Sequence, residues 1–568
     1  MKKRWIFLQP NPQNVATLTQ ELHISECVAT LLVNRGISEK YEAHRFIAGE
    51  LKDIPSPFLM KDMKKAVHRL IRAIHHRESI FIYGDYDVDG VTATSCLVNF
   101  FSELGVRVGY HIPHRLKEGY GLHVKALEEI KEKGGQVVIT ADCGISNAKE
   151  AEAASQLGID LIITDHHIIP PELPEAHAVL NPLRKGSDYP DLYLSGVGVV
   201  FQLLLALRFQ LREEGFFEGR SEPNLKNYLD LVALGTIADL VPLKGVNHIL
   251  VKEGLKVLTE KKRIGIRALC EVANIRKEAI GTYEVGFQLA PRLNAGGRIS
   301  SADTGVKLLT TSDYMAALEG AKILQEENEK RRFLQQEVLN QACQKVEVHR
   351  YHEHSAIVLS SPHWHAGVIG IVASKLVEKY YRPTFMISEG AAAGKGSARS
   401  IEAIHLLEAL RECGELFDHF GGHKAAAGFT VPNERIPQLR EMLNQIIQRK
   451  LTPDDLIPKI KIDMRIHFDN VDKNFLTDIS QLAPFGMGNP EPVFSAENFK
   501  IKSSSVVGEK HLRMWLEGDQ SQVSAIGFQM ALWKPEVAKI RSIAYVPEVN
   551  EWKGEKSLQL RLKDLKFE

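Results

Sequence analysis

The sequence predicts an α/β protein with two α/β lobes joined by a long helix and followed by a small β-barrel. Between residue 79 and about residue 243, short apolar strands alternate with helices, which is the pattern of a doubly wound parallel sheet. A helical stretch without proline, residues 312–346, precedes a second alternation of strands and helices. Beyond residue 456 six short strands follow with little helix between them, which favours an oligonucleotide-binding (OB) fold.

These changes of pattern divide the 568 residues into five predicted parts. Residues 1–50 form a helical, peripheral segment. Residues 51–300 form the first lobe, and residues 301–346 form the connecting helix. Residues 347–455 form the second lobe, and residues 456–568 form the OB-like barrel. Chains of this length usually hold several domains.

The predicted elements of each part follow from its apolar periodicity. In the first lobe they are strand 79–83, helix 91–103, strand 106–112, helix 122–133, strand 137–141, helix 145–157, strand 161–164, a helix and turn at 231–239, and a loop at 291–300. In the second lobe they are strand 355–360, helix 366–380, strand 383–388, a glycine-rich segment 394–399, helix 401–413 and a loop at 421–423. The barrel strands are 459–466, 499–507, 512–517, 523–528, 541–548 and 558–565.

The most informative stretch is residues 81–90, where an apolar strand delivers Asp85, Asp87 and Asp89 and then stops at glycine. At this spacing, three carboxylates in a partly desolvated pocket repel one another by several kcal/mol. Hard divalent cations such as Mg²⁺ or Mn²⁺ convert that repulsion into binding energy. The stretch therefore predicts a metal site.

Three later segments repeat this design of an apolar run that ends in metal-ligand chemistry. A lone Asp at a strand end is more often a turn residue or a helix N-cap than a ligand. A parallel sheet, however, gathers the carboxyl ends of its strands at one edge, so four such segments can converge in one crevice. The later segments end at Asp142, at the triplet 165–167 and at Asp239.

These four motifs resemble those of the DHH phosphoesterase superfamily. Further segments narrow the resemblance to the RecJ family, the bacterial single-strand-specific exonucleases, and the resemblance covers the chain from about residue 40 to the end. The segments that narrow it are residues 113–115, 118–121, 291–298, 396–400 and 421–423.

The resemblance implies five ligands for two divalent cations, Mg²⁺ or Mn²⁺. Asp142 would bridge the two ions. Asp89, His166 and Asp239 would complete one site, and Asp87 would belong to the other.

One position departs from the pattern of the superfamily. Tyr83 stands where some of its families place a histidine ligand, and tyrosine is a poor ligand for these ions. The second cation is therefore expected to be bound more weakly. Asp85 is either an outer-shell carboxylate or an aid to water activation, and of the two we expect the outer-shell role.

The resemblance also assigns residues that contact the phosphate chain. His167 would contact the scissile phosphate or donate a proton, the alternative being that it only packs its loop, and Arg298 would reach toward the cleft. Arginine offers a two-pronged donor for phosphate. The residues expected at the 5′-terminal phosphate and along the phosphate path are Arg115, Ser397, Arg399, Gly421, Gly422 and His423.

Composition says more about the cellular location of the protein than about the reaction that it catalyses. The 71 basic and 71 acidic residues cancel, so only a local basic groove could attract nucleic acid. Six cysteines lie scattered without a C-x-x-C pair, which favours a reducing compartment. No segment is long and apolar enough to predict a membrane span. The expected location is the cytoplasm.

The resemblance implies a 5′-to-3′ exonuclease on single-stranded DNA, which releases 5′-mononucleotides by two-metal-ion hydrolysis in recombinational and mismatch repair. It implies a monomer whose partners are a single-stranded-DNA-binding protein and a RecQ-type helicase. One alternative is a small-substrate phosphoesterase built on the same two lobes, but such enzymes do not need the strand-rich C-terminal module. Another is a non-catalytic DNA-binding scaffold, against which the presence of all five ligands argues.

Overall fold

The N-terminal segment folds together with the C-terminal module in the computed structural model, which describes residues 3–115, 117–552 and 555–567. The side chains of Asn11 and Ser25 accept backbone N–H groups at the starts of two of its helices, as N-caps do. Three of its elements are helices, and one strand, which the sequence pattern did not predict, precedes them. The elements are β1 (Arg4–Phe7), α1 (Pro12–Leu22), α2 (Glu26–Asn34) and α3 (Lys40–Ala48).

The first lobe is built on a five-stranded parallel sheet. Its elements are α4 (Met63–His76), β2 (Ile80–Gly84), α5 (Val88–Glu103), β3 (Val108–His111), α6 (Val124–Glu132), β4 (Val137–Ala141), α7 (Ala148–Gln156), β5 (Asp160–Thr164), β6 (Ala178–Leu180), α8 (Gly196–Glu213) and α9 (Leu229–Ala238). The strand order is β3-β2-β4-β5-β6. Ile80 and Ile82 face α4, α5 and α8, whereas Phe81 and Tyr83 face α6 and α7, so helices cover both faces.

A helical region follows and leads to the second lobe. Its elements are α10 (Gly245–Glu260), α11 (Ile264–Val272), α12 (Thr282–Glu284), a π-helical turn (Val285–Leu289), α13 (Ala290–Ile299), α14 (Asp303–Thr310) and α15 (Tyr314–Val348). The predicted loop at 291–300 is wrong, because these residues form most of α13. Pro291 lies in the first turn of that helix, where its missing N–H costs nothing.

The second lobe carries a five-stranded sheet in which only β7 and β8 run parallel. Its elements are β7 (Ile357–Ser361), α16 (Ala366–Tyr380), β8 (Thr384–Glu389), β9 (Ala393–Arg399), α17 (Leu406–Arg411), β10 (His419–Gly422), β11 (Ala426–Pro432) and α18 (Ile436–Lys450). The strand order is β10-β11-β9-β8-β7. The glycine-rich segment 394–399 and the predicted loop at Gly421 are therefore strands. A Cβ on Gly396 would lie 2.1 Å from the ring of Phe429, so the glycine makes room for that ring.

The C-terminal module is a seven-stranded sheet. Its elements are β12 (Lys459–Ile462), β13 (Met464–Arg465), α19 (Lys473–Ser480), β14 (Phe494–Glu497), β15 (Lys500–Val507), β16 (His511–Glu517), β17 (Gln522–Gly527), β18 (Ile540–Trp552) and β19 (Glu555–Phe567). The strand order is β13-β14-β18-β19-β17-β16-β15. β14 is a strand that the sequence pattern did not predict.

The N-terminal segment completes this module. β1 pairs in parallel with β12, and the indole Nε1 of Trp5 donates to Asp564 at 2.7 Å. Side chains from α1, α2 and α3 share one hydrophobic core with the strands of the seven-stranded sheet. The module also contacts the first lobe, since the backbone N–H of Leu243 donates to the carbonyl of Met487 at 2.7 Å. Within the described ranges, none of the helices combines the length and apolar character that crossing a bilayer requires.

Candidate metal centre and phosphate-binding cleft

The ends of β2, β4 and β5 bring the acidic motifs together at one edge of the parallel sheet. Asp85 follows β2, and its backbone N–H donates to the carbonyl of Ala141 at 3.2 Å. Asp142 follows β4, and its backbone N–H donates to the carbonyl of Thr164 at 3.0 Å. Residues about 20 to 60 positions apart in sequence thus meet in one crevice, as the topology of a parallel sheet requires.

Asp142 occupies the centre of this crevice. Its φ is 69°, a left-handed conformation that a residue other than glycine rarely adopts. Its Oδ1 lies 3.2 Å from Nε2 of His166. A Cβ on Gly196 would lie 2.4 Å from the same carboxylate, so the start of α8 can approach Asp142 only because residue 196 is glycine.

Asp89 lies beside Asp142 and is held by the first turn of α8. It accepts the backbone N–H groups of Gly196 at 2.6 Å and Val197 at 2.9 Å, an arrangement that favours the ionised carboxylate. Burial nevertheless raises the pKa of Asp89 to about 7. Burial raises the pKa of Asp142 well above its usual range as well, and the charge of Asp89 adds to that shift.

His166 and Asp239 complete this side of the crevice. Nε2 of His166 lies 3.5 Å from Oδ2 of Asp239 and 3.9 Å from Oδ2 of Asp89. Burial, reinforced by the charge of His167, lowers the pKa of His166 to about 4. The ring is therefore neutral at physiological pH, which is the form in which imidazole binds metals.

These groups fit divalent cations. Their ligand atoms form three groups within which all atoms lie within 4.8 Å of one another: Asp89 with His166 and Asp239, Asp85 with Asp87 and Asp142, and Asp142 with His166 and His167. Among the described residues, three of these buried atoms make no well-aligned hydrogen bond, although the last two lie 3.2 Å apart: Oδ1 of Asp85, Oδ1 of Asp142 and Nε2 of His166. Buried polar atoms are rarely left unpaired, and carboxylate oxygens with imidazole suit Mg²⁺ and Mn²⁺.

His167 lies next to these ligands but has a different partner. Its Nδ1 lies 2.7 Å from Oδ1 of Asp165 and 3.1 Å from the hydroxyl of Tyr120. Although burial opposes the shift, the ion pair with Asp165 raises the pKa of His167 to about 9. Asp165 also accepts the backbone N–H groups of residues 145, 166 and 167. It therefore orients the histidine loop, a role that the sequence did not reveal.

Arginines from both lobes meet on the other side of the crevice. Arg298, at the end of α13, donates to the carbonyl of Gly367 at 3.3 Å. Burial lowers the pKa of Arg298 to about 9, and the nearby charges of Arg115, Arg331 and Arg399 add to the shift. Positive charges held this close and partly buried are stabilised by an anion.

Arg331 lies in α15 among buried polar side chains. Glu327 accepts a hydrogen bond from the hydroxyl of Ser300, and Asn328 and Gln335 accept from the guanidinium of Arg331. Burial lowers the pKa of Arg331, and within the described structure its Nε has no hydrogen-bond partner. Arg331 comes near Arg298 only because the connecting helix packs against α13. The spacing of the two residues in the sequence therefore does not predict that they lie close together.

The second lobe presents an open surface of small residues beside Arg399. Gly421 pairs with Gly428, and Gly428 pairs with Ser397, so the three lie in one row across β10, β11 and β9. Arg399 is two residues from Ser397 and donates to its hydroxyl at 3.2 Å. Gly422 is the last residue of β10, and His423 follows it in the chain. A Cβ on Gly421 would meet none of the described atoms within 4 Å.

The structure brings the five predicted ligands and His167 together. Of the predicted phosphate-binding residues, Arg115 lies on the first lobe beside Tyr86, and the others lie on the second lobe: Ser397, Arg399, Gly421, Gly422 and His423. Asp85 lies among the ligands rather than behind them, since its carboxylate is close to those of Asp87 and Asp142. Tyr83 points away into the core on the α6 and α7 side, where its hydroxyl donates to the carbonyl of Gly121 at 3.2 Å.

Three family models match the chain: the DHH family N-terminal domain over residues 79–236, the DHHA1 domain over residues 353–449 and the RecJ OB domain over residues 462–564. The single-stranded-DNA-specific exonuclease RecJ of Bacillus subtilis (strain 168) is 40% identical over 569 residues, which cover 99% of this chain and 71% of that protein.

Solved structures agree with this match. The crystal structure of RecJ from Thermus thermophilus in complex with Mn²⁺ has a TM-score of 0.83 and 30% identity, covering 99% of this chain and 79% of that one. The Mg²⁺ complex from the same organism has a TM-score of 0.77 and 28% identity, covering 99% and 78%.

Proposed function

This chain belongs to the RecJ family of the DHH superfamily, and from that membership we propose that it is a metal-dependent exonuclease that degrades single-stranded DNA from the 5′ end and releases 5′-mononucleotides. One observation carries the proposal: closely spaced carboxylates and a neutral histidine converge at the edge of the parallel sheet, with buried ligand atoms that make no well-aligned hydrogen bond among the described residues. Such crowding is stable only when cations neutralise it.

Two cations, Mg²⁺ or Mn²⁺, would be held by this set. Asp89, His166 and Asp239 would hold one, Asp87 would hold the other, and Asp142 would be shared; the close groups of ligand atoms support this division. When bound, the ions supply the charge that activates a water molecule and neutralises the phosphate oxygens.

Asp85 and Tyr83 determine how firmly the second cation is held. Tyr83 contributes no ligand, because its hydroxyl is bonded to Gly121. The carboxylate of Asp85 lies close enough to Asp87 and Asp142 to bind that ion directly or through water. We place Asp85 beside the weaker site, where it orients the attacking water.

His167 would serve as the proton donor. Asp165 and Tyr120 hold its Nδ1, which leaves Nε2 for a phosphate oxygen or the leaving group. With Nδ1 held in this way, the ring can bind a phosphate oxygen through Nε2 and pass a proton to the leaving group as the bond breaks.

The arginine cluster would set the polarity of degradation. Burial lowers the pKa of Arg298 and that of Arg399, and the charge of Arg115 lowers both further, so a terminal phosphate would relieve the repulsion among these arginines. Ser397 adds a hydroxyl donor at Arg399. A strand that enters with its 5′-phosphate in this cluster presents its first phosphodiester linkages to the carboxylates.

The C-terminal module favours a polymeric substrate over a small one. It matches an OB domain, a fold that binds single strands through basic grooves and aromatic rings. Family membership also predicts roles in recombinational and mismatch repair. It predicts a monomer whose partners are a single-stranded-DNA-binding protein and a RecQ-type helicase.

The direct test is digestion of single strands that carry a label at one end and a block at the other. We expect labelled mononucleotides to appear first from the 5′ end, and we expect blunt duplex to resist. Release from the 3′ end, or equal attack on duplex, would contradict the proposal. Chelation of divalent cations should stop digestion, and added Mn²⁺ or Mg²⁺ should restore it.

A further inference from the structure

An exposed pair of aromatic rings lies on the helical region between the two lobes. Tyr283 and Phe287 are stacked, with ring centroids 5.0 Å apart and an interplanar angle of 29°. Their exposed fractions are 59% and 71%. Large aromatic side chains usually bury most of their area, so two adjacent rings this exposed indicate a surface that binds something. Tyr283 and Phe287 are called the aromatic platform below.

The platform is built on a rigid base. Val285 and Leu289, on the opposite side of the π-helical turn, are fully buried. Glu284 is also buried, accepts the backbone N–H of Gly281 and pairs with Lys277 at 2.6 Å. The same lysine lies 5.9 Å from the ring centroid of Tyr283. Because its base is fixed, the exposed pair is held in place before any ligand arrives, and a positive charge lies beside it.

The position of the platform links it to the catalytic crevice. A Cβ on Gly286 would lie 4.0 Å from the side chain of Ile237, at the end of α9 and two residues before the ligand Asp239. Leu240, next in the chain, is 64% exposed. The π-helical turn also runs into α13, the helix that carries Arg298.

The C-terminal module meets the same end of α9. Leu243 donates its backbone N–H to the carbonyl of Met487, and a Cβ on Gly488 would lie 2.9 Å from Pro242. Residues 237–243 therefore lie beside the π-helical turn that carries Phe287 of the platform at one end, contain the proposed ligand Asp239, and contact the OB-like module at the other end. A strand that follows this corner from the crevice to the module would pass the platform.

We propose that Tyr283 and Phe287 stack against nucleobases of the single strand between the catalytic crevice and the OB-like module. The proposal rests on the proposed function and adds a base-binding position to it. Stacking on an aromatic face accepts every base, because each base has a π-face. Such a position suits an enzyme that degrades strands of any sequence.

The first experiment measures binding. The full chain is titrated with a 3′-labelled, 5′-phosphorylated strand whose first linkages are phosphorothioates, so that the strand stays intact. In the double variant Tyr283→Leu/Phe287→Leu, leucine keeps apolar bulk and helix preference but has no π-face. We expect its Kd to rise about 5- to 100-fold. Tyr41→Leu is the matched control, because Tyr41 is 76% exposed on the remote helix α3. Equal affinity of the double variant and this control would overturn the proposal.

A second experiment locates the occupied bases. Single abasic sites are placed in turn at each of the first ten or so positions of the same strand. With the wild-type protein we expect one or two adjacent positions, beyond the terminal nucleotides, where removal of the base weakens binding, and in the double variant we expect this weakening to vanish there. A flat wild-type profile beyond the terminal nucleotides, or one unchanged in the double variant, would refute base stacking and favour a protein ligand.

Different results would contradict the proposed function and the proposed aromatic platform. Release of label from the 3′ end would contradict the proposed polarity, but a position-specific abasic effect would still support the platform. Digestion from the 5′ end with a flat abasic profile would leave the proposed function standing and remove the platform.

Discussion

The two lobes use their sheets in opposite ways. In the first lobe every strand is parallel, so the strand ends meet at one edge and deliver Asp85 and Asp142 into a buried crevice. In the second lobe β9, β10 and β11 are antiparallel, and Ser397 and Arg399 stand on the face of the sheet beside exposed glycines. One lobe buries negative charge, and the other holds a partly buried positive charge beside open glycines.

This difference indicates a division of labour. Buried carboxylates without counter-ions are costly, so the first lobe is arranged for cations and for the chemical step. The second lobe contributes donors for a phosphate rather than ligands for the cations. Substitutions in the first lobe should therefore lower kcat, and substitutions in the second should mainly raise KM.

The largest effect is expected at Asp142. Asp142→Asn keeps the size of the side chain and suits the left-handed backbone, whereas alanine would add strain there. Loss of the shared carboxylate should lower kcat by at least about a thousandfold. Single-turnover digestion of a 5′-phosphorylated strand measures it.

Thermal unfolding provides the control for this variant. Without metal, Asp142→Asn should be at least as stable as wild type, because it removes one of several buried, mutually repelling carboxylates. With Mn²⁺, wild type should gain in Tm more than the variant does. Near-normal turnover at ordinary metal concentration would contradict the shared-ligand assignment.

Asp87 should show how weakly the second cation is held. Its side chain accepts the backbone N–H groups of Asp89 and Gly90 as the N-cap of α5, and asparagine caps helices equally well. Asp87→Asn should therefore fold normally and lose at least about a hundredfold in activity at low metal concentration, since loss of a ligand should cost no less than loss of a residue that only supports one.

A metal titration of turnover distinguishes this site from that of Asp142. High Mn²⁺ should restore much of the activity of Asp87→Asn and little of that of Asp142→Asn. Equal rescue of both variants would mean that the two cations are held alike, and the expected asymmetry would be wrong.

Arg399 tests the second lobe. Arg399→Ala removes a charged donor from the proposed phosphate cluster, which should cost about 1.5 to 3 kcal/mol, or roughly ten- to a hundredfold in kcat/KM, on a 5′-phosphorylated strand. The loss should appear mainly in KM and should shrink on a 5′-hydroxyl strand. Comparison of both strands with both proteins measures the preference.

Arg411→Ala is the matched control, because Arg411 is an exposed arginine on α17. It should leave the preference for the 5′-phosphate unchanged. If Arg399→Ala instead lowers kcat as Asp142→Asn does and retains the preference, the division between the lobes fails.

The sequence predicted the parts of the fold whose pattern is local. The predicted strand 137–141 and helix 366–380 coincide with β4 and α16, because apolar periodicity alone defines them. Glycine misled the prediction at β9 and β10, where the residues form strands because neighbouring strands and the ring of Phe429 pack on them. Nothing in local propensity carries that information.

In the site, too, the sequence could predict some residues and not others. Three of the four acidic motifs follow strands of the parallel sheet, so chain topology brings them together and the sequence could predict it, whereas Asp239 follows α9. Arg331 and the role of Asp165 depend on packing: one reaches Arg298 through the path of α15, and the other orients His167 through three backbone N–H groups. The strand β1 was missed because its partner β12 lies about 450 residues later.

The smallest effect is expected in the C-terminal module. Trp515 on β16 is 42% exposed, with Arg513 5.8 Å from its ring centroid, a pair suited to a nucleobase and its phosphate. Deleting the whole module is a poor test, because α1, α2 and α3 would lose the core they share with it. The double variant Arg513→Ala/Trp515→Ala should instead weaken binding of long strands by about fivefold and shorten processive runs, as measured on strands longer than the reach of the cleft.

Digestion of short strands is the control for the effect expected on long strands. A strand long enough for the crevice but too short for the module should be cut equally by wild type and variant, because the carboxylates and the arginine cluster are untouched. Val549→Ala is the matched control, since Val549 is an apolar residue on β18 that is 57% exposed. A variant that loses affinity for short and long strands alike would place the damage in the fold. One that loses affinity for neither would leave the module a structural support for the N-terminal helices.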